Sequence, residues 1–412
     1  MMPLKKPRWA VVGLWLAWLI IISGFQVIAD MRYDPDRPDE ALEWTGNETT
    51  ARSQRDKPYL IEPFMNHQVS WDSEFYLSIA VAGYDDPLVR TVEVEDGREL
   101  SLNYAFFPLY PLAIRALSIP LSIVGLTPIA TATLAGVIIS AFSALVALLA
   151  VYELVQDELG DSGGIRTTFY LLVFPTSFFL ATVFTESFFL ALALGCMALL
   201  KRQVFFWAAL LAFLAALTRA SGVLLIIPLG IAWLNSIGWR NIFTPTVWLN
   251  RQNLLRFGLI FTPIIGFVIW RITLGEAALL VEDTWFGRGL DNPQRTFDGW
   301  RRAIETLLTT NIPERRIYYG MEFTSVLLAI IGSLFVLRRY PGIALFSLAA
   351  LAAGMFTSAP QSLVRYVLTA PALFIFLGRL GKSVVFDRAW TLGSILFLGM
   401  QAFLFAHDMW VA

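Results

Sequence analysis

Eleven apolar runs of 15 to 25 residues divide this chain, and they constrain its fold more than any other feature. They lie at 9–28, 128–152, 166–182, 184–200, 203–217, 219–235, 255–273, 322–337, 341–357, 364–378 and 389–407. About 20 apolar residues carry a helix across a bilayer. A backbone in lipid must satisfy its own hydrogen bonds, which makes helix the default. Only 15% of the 412 residues are charged, against about 25% in soluble proteins. The expected fold is all-α: a polytopic integral membrane protein with 11 to 12 transmembrane helices.

The same composition excludes other classes. No basic tract offers a nucleic-acid surface. Cys196 is the one cysteine and lies in an apolar run, so it reads as a small buried residue. His67 and His407 stand far apart and make no metal-ligand spacing. No metal and no cofactor is implied. Lys5, Lys6 and Arg8 precede the 9–28 run, which is longer than the roughly 7–15 residues of a signal-peptide core. No small-residue cleavage site closes it, so it is expected to stay as a first span.

Basic residues mark cytoplasmic loops. Lys5, Lys6 and Arg8 place the start of the chain inside. Lys201 and Arg202, then Arg240, Arg251 and Arg256, then Arg338 and Arg339, then Arg379, Lys382 and Arg388 mark four further inside loops. Two long polar stretches, 30–103 and 275–320, fall outside. The apolar segment 104–124 disturbs the alternation if it crosses. Pro108 and Pro111 interrupt its ladder, so 106–117 is expected to be re-entrant or to lie on the outer surface. Twelve crossings is the alternative. Within the first outside loop, 30–60 reads as loosely folded and 61–84 as ordered.

The stretch from Trp71 to Tyr84 is the most informative. Phe75, Ile79 and Ala82 recur at helical spacing, and Gly83 supplies a stop, which predicts a short amphipathic helix on the outer membrane surface. Asp72 opens it. Asp72 fits a helix cap first, and a general base presented at the lipid boundary second, the two not being exclusive, and Glu74 suits the first turn. Arg219 and Arg365 stand at outer helix boundaries. An arginine there either snorkels to lipid phosphates or binds a substrate. Glu186, between two apolar runs, either orients an acceptor sugar or pairs with Arg219. Trp71 is the best candidate for a sugar platform.

Trp71-Asp72, Phe75-Tyr76, Ile79-Ala80 and Gly83-Tyr84 together resemble the W-D-x-x-[WF]-Y-x-x-I-A-x-x-G-Y signature of the PIG-V-like mannosyltransferases, members of the GT-C glycosyltransferase superfamily. Three more stretches are similar to that family's motifs and follow in its order. They are Phe106-Phe107-Pro108-Leu109-Tyr110-Pro111, then Phe174-Pro175-Thr176-Ser177-Phe178-Phe179 with Phe184-Thr185-Glu186-Ser187, and Thr218-Arg219-Ala220-Ser221-Gly222. Arg365-Tyr366 before Pro371 agrees more weakly.

The resemblance implies a multi-pass enzyme that takes a sugar, mannose by family, from a polyprenyl-phosphate carrier on the extracytoplasmic face. The acceptor would be a glycan or glycolipid. By resemblance Asp72 is the general base and Glu74 the second choice. Arg219 and Arg365 are candidates for the donor phosphate, and Trp71, Tyr76 and Glu186 for acceptor or sugar. The compact chain fits a bacterial plasma-membrane relative. Two rival readings remain: a transporter or flippase of lipid-linked sugars, and a non-catalytic subunit of a glycan assembly complex.

Overall fold

The structure, a computed structural model, describes residues 6–33, 64–287, 293–356 and 360–411. The stretch expected to be loosely folded, 30–60, falls outside the described residues from position 34 onward. The described residues form seventeen α-helices and one small hairpin. In chain order the helices are α1 (Lys6–Arg32), α2 (Asp72–Val81), α3 (Leu109–Leu121), α4 (Pro128–Leu172), α5 (Thr185–Lys201), α6 (Phe205–Ala216), α7 (Ile226–Ile237) and α8 (Pro245–Leu249). They continue as α9 (Arg251–Leu259), α10 (Thr262–Thr273), α11 (Gly275–Thr284), α12 (Pro293–Thr309), α13 (Pro313–Val336), α14 (Pro341–Phe356), α15 (Leu363–Tyr366), α16 (Pro371–Leu380) and α17 (Val384–Ala406). The hairpin pairs β1 (Thr91–Glu93) with β2 (Glu99–Ser101), Val92 opposite Leu100. It was not expected from the helical reading. Its turn runs through Asp96-Gly97, with Gly97 at φ +81, a conformation glycine adopts freely.

Each expected apolar run contains helix, but the lengths differ. Among the described residues five helices are long and apolar enough to cross a membrane, or seven if two bent pairs each count as one span. The pair α9–α10 bends by 40°, and Leu363–Thr369 meets α16 at 81°. The runs 184–200, 203–217 and 341–357 form helices of 17, 12 and 16 residues.

The run 166–182 is corrected most. Its helix stops at Leu172, just before Pro175, which cannot donate to a helical ladder. The backbone from Val173 to Phe184 is then irregular apart from a 3-10 turn at Ser177–Leu180, and it is buried. Irregular backbone at membrane depth is tolerated where protein surrounds it. The helix α4 is itself two helices, broken at Gly160 with φ 69 and ψ 176. Only glycine occupies that region readily. The chain reverses there, and the Tyr152 hydroxyl donates to Asp161 across the break.

The break sits at one end of the molecule, where the basic stretches meet. Arg8 and Arg202 both reach Glu153, at 2.6 and 2.9 Å. Lys201 reaches Asp157 at 2.7 Å, and Arg339 and Arg379 both reach Glu158. Arg256 lies 4.9 Å from the ring of Phe205, at the start of α6. Five segments marked as inside loops by their arginines and lysines therefore gather at one end. Glu186 is in the first turn of α5 and Lys201 in its last, about 23 Å apart along the axis. The opposite end of the bundle thus carries Glu186 and what packs around it.

The segment 106–117 begins at that opposite end. The Leu109 amide donates to the Leu217 carbonyl at 3.1 Å. From there α3 runs away from the basic end, antiparallel to the first part of α4. Tyr110 meets Ser140 at 2.9 Å, and a side chain at Gly136 would meet Ile114. Before its break α4 has 32 residues, Pro128 to Leu159, or about 48 Å. That exceeds a hydrocarbon layer of about 30 Å, and the end of α2, at Ala80 and Val81, lies beside the α3–α4 turn.

Candidate active site

The helix α2 begins at Asp72, and the residue before it is strained. Trp71 has φ 55 and ψ −117, a genuine outlier for a bulky residue, of a kind that clusters at functional sites. Neighbouring contacts hold it. Ser70 donates to the Phe405 carbonyl at 2.9 Å, the Trp71 indole packs edge-on against Trp410 at 4.6 Å, and its Nε1 donates to Met409. Trp71 occupies the cap position with no side-chain cap bond. Asp72 is the first helical residue and does not act as the cap. The Ser73 and Glu74 amides donate instead to the Ser70 and Trp71 carbonyls, both at 3.2 Å. The Asp72 carboxylate is turned to another element.

That element is α15. The Arg365 Nη1 donates to Asp72 Oδ2 at 2.8 Å, across 293 residues of sequence. The Arg365 Nε lies 3.4 Å from Glu186 Oε1. Arg219 closes the chain of charges: its Nη1 donates to the same Glu186 oxygen at 2.6 Å and to Thr185 Oγ1 at 2.9 Å. Glu186 is the buried centre, at 1% side-chain exposure, with Arg365 at 4%, Arg219 at 18% and Asp72 at 27%. Two carboxylates and two guanidinium groups balance. Phe184 and Tyr366 lie 5.4 and 5.3 Å from the Arg365 guanidinium, and Tyr366 is also 5.3 Å from that of Arg219. Both arginines therefore face the protein interior and do not snorkel to lipid. Of the two expectations for Glu186, the pairing with Arg219 is realised.

Tyr76, one turn after Asp72, faces the same group. Burial first, then the Asp72 and Glu186 carboxylates, push its phenol well above the ordinary value, so it stands as a neutral hydroxyl beside Thr185. Its ring packs edge-on against Phe106, Tyr110 and Phe184. Phe75 stacks on Phe106 at 4.7 Å. The aromatic groups of α2 thus pack on protein, and Ser73, Glu74 and Tyr76–Ala80 are all buried. Glu74 is two residues from Asp72, and positions i and i+2 point to different faces of a helix. It does not join Asp72 at Arg365.

The Thr218-Arg219-Ala220-Ser221-Gly222 turn explains itself sterically. A side chain at Gly222 would come within 2.4 Å of the Ala215 backbone. Only glycine lets the 3-10 turn after Arg219 fold back on α6, and that fold-back aims Arg219 at Glu186. The segment at Phe106–Pro111 docks on the same turn through Leu109. The four sequence motifs and Arg365 therefore converge on one site at the end of the bundle opposite the basic loops.

Three further residues at this site were not among the expected site residues, although Thr176 lies within the Phe174–Phe179 motif. Glu322 on α13 accepts the Val364 amide at 2.9 Å, Tyr318 accepts the Ser362 amide at 3.1 Å, and Thr176 donates to the Val364 carbonyl at 3.1 Å. A carboxylate at the edge of an apolar run was the one available hint of Glu322.

A family model described as mannosyltransferase (PIG-V) matches residues 47–269, just over half of the chain. No curated protein matches it. Among solved structures, ArnT from Cupriavidus metallidurans, bound to undecaprenyl phosphate, overlaps with a TM-score of 0.48 at 12% identity, over 98% of this chain and 77% of that one. The Archaeoglobus fulgidus oligosaccharyltransferase AglB, in complex with an inhibitory peptide and a dolichol-phosphate, overlaps with a TM-score of 0.44 at 12% identity. The overlap covers 96% of this chain and 55% of AglB. The matched span 47–269 holds Asp72, Tyr76, Glu186 and Arg219, four of the residues that meet at the site, and with that match the chain belongs to the mannosyltransferase (PIG-V) family.

Proposed function

We propose that this membrane glycosyltransferase moves a hexosyl group, mannose by family, from a polyprenyl-phosphate carrier to a hydroxyl of a glycan or glycolipid. Transfer takes place on the extracytoplasmic face. The single observation that carries the reading is the Asp72–Arg365 pair, joined through Glu186 to Arg219, at the end of the bundle opposite the basic loops. Basic loops stay in the cytoplasm, so the site opens outside, here of a bacterial plasma membrane.

Asp72 takes the proton of the acceptor hydroxyl, which is a poor nucleophile until a positioned base assists it. The oxygen attacks the anomeric carbon from the face opposite the carrier, and configuration inverts. The bond from that carbon to the phosphate oxygen breaks, and its electron pair goes to the phosphate. A phosphodiester leaves as a phosphomonoester, so negative charge grows there. Arg365 and Arg219 meet that charge with planar, multidentate donors. Glu186 orients both guanidinium groups, Tyr76 offers a neutral hydroxyl to the sugar, and Trp71, next to Asp72, is the candidate platform for the acceptor sugar. Glu74 is the second choice for the base.

The test is direct. Purified protein in lipid nanodiscs receives polyprenyl-phosphate-mannose and a glycolipid acceptor, and release of polyprenyl phosphate is followed. Sugar transfer with inverted configuration supports the reading. Movement of the lipid-linked sugar between leaflets without cleavage makes the protein a flippase and overturns it.

A further inference from the structure

We infer that Glu322 is a positioning residue, which acts from α13 to hold the short helix that presents Arg365. The inference rests on the reading that Arg365 meets the donor phosphate. The helix α15 has four residues, Leu363–Tyr366. A single turn is too short to be stable by itself. It begins at Ser362, which has φ 61 and makes no side-chain cap bond. The first amides of any helix lack partners within it, and here a neighbouring helix supplies them.

Tyr318 and Glu322 are four residues apart on α13, one above the other on the same face. Tyr318 accepts the Ser362 amide at 3.1 Å, and Glu322 Oε2 accepts the Val364 amide at 2.9 Å. From the other side Thr176, held in the irregular buried segment after α4, donates to the Val364 carbonyl at 3.1 Å. Val364 is thus fixed through both its amide and its carbonyl, and Arg365 is the next residue. Glu322 is fully buried. An ionisable group within an apolar helix is costly and tends to be retained for function. It touches neither Asp72 nor the guanidinium of Arg365 among the described contacts, so its influence on the site passes through the backbone of α15.

The experiment is a double-mutant cycle on the transfer reaction with donor and acceptor varied separately. Glu322→Ala is expected to lower kcat/KM for polyprenyl-phosphate-mannose by about 10- to 100-fold, the scale of a catalytic group displaced by about 1 Å. The KM for acceptor stays unchanged. Glu322→Gln keeps an oxygen for the Val364 amide and retains activity within about threefold. In an Arg365→Ala background, Glu322→Ala adds no further loss, because its route to the site is gone. Equal losses in both backgrounds, or a Glu322→Ala enzyme with normal donor kinetics, overturn the inference.

A second readout does not depend on turnover: an electron cryomicroscopy map of Glu322→Ala. Arg365 is expected to leave Asp72, and an intact pair in the folded variant overturns the inference even if the wild-type protein proves to transfer no sugar. Should Glu322→Ala fail to fold, Tyr318→Phe removes the acceptor of the Ser362 amide and carries the same donor-specific test.

Discussion

Asp72→Asn separates a base from a structural carboxylate. The substitution keeps the side-chain shape and one acceptor oxygen but removes a charge from a site where two carboxylates balance two arginines. Arg365 is nearly buried, at 4%, while Asp72 is 27% exposed. The pair therefore falls between exposed ion pairs, worth about 0–1 kcal/mol, and buried ones, whose breakage costs about 3–5 kcal/mol. Asn still accepts from Arg365, and Glu186 stays 3.4 Å from its Nε. The loss of folding stability is expected to be about 1–2 kcal/mol, the charged part of one hydrogen bond. Transfer should fall much further, by about 10²- to 10⁴-fold, the contribution of general-base assistance. The assay is the initial rate of transfer in nanodiscs with labelled donor, beside a thermal melt of the same preparation. A stability loss of this size with transfer within about threefold of wild type would refute the assignment, since a base cannot be dispensable. Glu74→Gln is the control. It lies two positions along α2 on a different face, and it is expected to leave transfer intact.

Arg365→Lys and Arg219→Lys keep charge but lose the planar fork, and each should lower kcat/KM for donor by about tenfold or more with acceptor KM unchanged; unchanged donor kinetics in both would leave them structural. Gly160→Ala meets open space but forces an L-residue to φ 69 and ψ 176. It should cost about 1–3 kcal/mol in a melt and leave kcat/KM within about twofold, because the break is remote from the site. Orientation is read by cysteines introduced at Glu95, exposed in the hairpin turn, and Lys382, exposed at the basic end, each in a Cys196→Ala background. An impermeant maleimide should label Glu95→Cys in intact cells and Lys382→Cys only after permeabilisation, and the reverse pattern would invert the assigned sidedness.

The sequence carried the parts of this fold that depend on local chemistry. Apolar runs gave the helices, and lysines and arginines gave the end at which the loops meet. Motif spacing picked out Asp72, Tyr76, Glu186 and Arg219, which do converge. What it did not carry depends on contacts between distant segments. Asp72 reads as a cap because Asp before an apolar helix usually is one, and only Arg365, 293 residues away, turns its carboxylate elsewhere. Glu322 shows in the sequence only as a carboxylate at the edge of an apolar run, because its partner is a backbone amide on another helix. The run 166–182 was too long because hydropathy continues through Pro175 while the hydrogen-bond ladder does not. The break at Gly160 lies among polar residues that read as an ordinary helix end.

The charge balance at the site bears on how the reaction would start. A neutral set of two carboxylates and two arginines is affordable at the edge of a bilayer, where an unpaired charge is not. In the resting site the proposed base is occupied, since Asp72 holds Arg365 at 2.8 Å. On the proposed function, an arriving donor phosphate would compete for the same guanidinium. A phosphate that took Arg365 would free the Asp72 oxygen that now accepts from it. Glu186 keeps the two arginines aligned throughout, since it is buried and bonded to Arg219 at 2.6 Å. The freed Asp72 oxygen would then be open to an acceptor hydroxyl only with the donor in place, which would give the donor priority over the acceptor. The arrangement needs Arg365 to be firmly placed yet able to exchange one anion for another. The backbone clamp on Val364 meets the first need, and the partly exposed Asp72 meets the second.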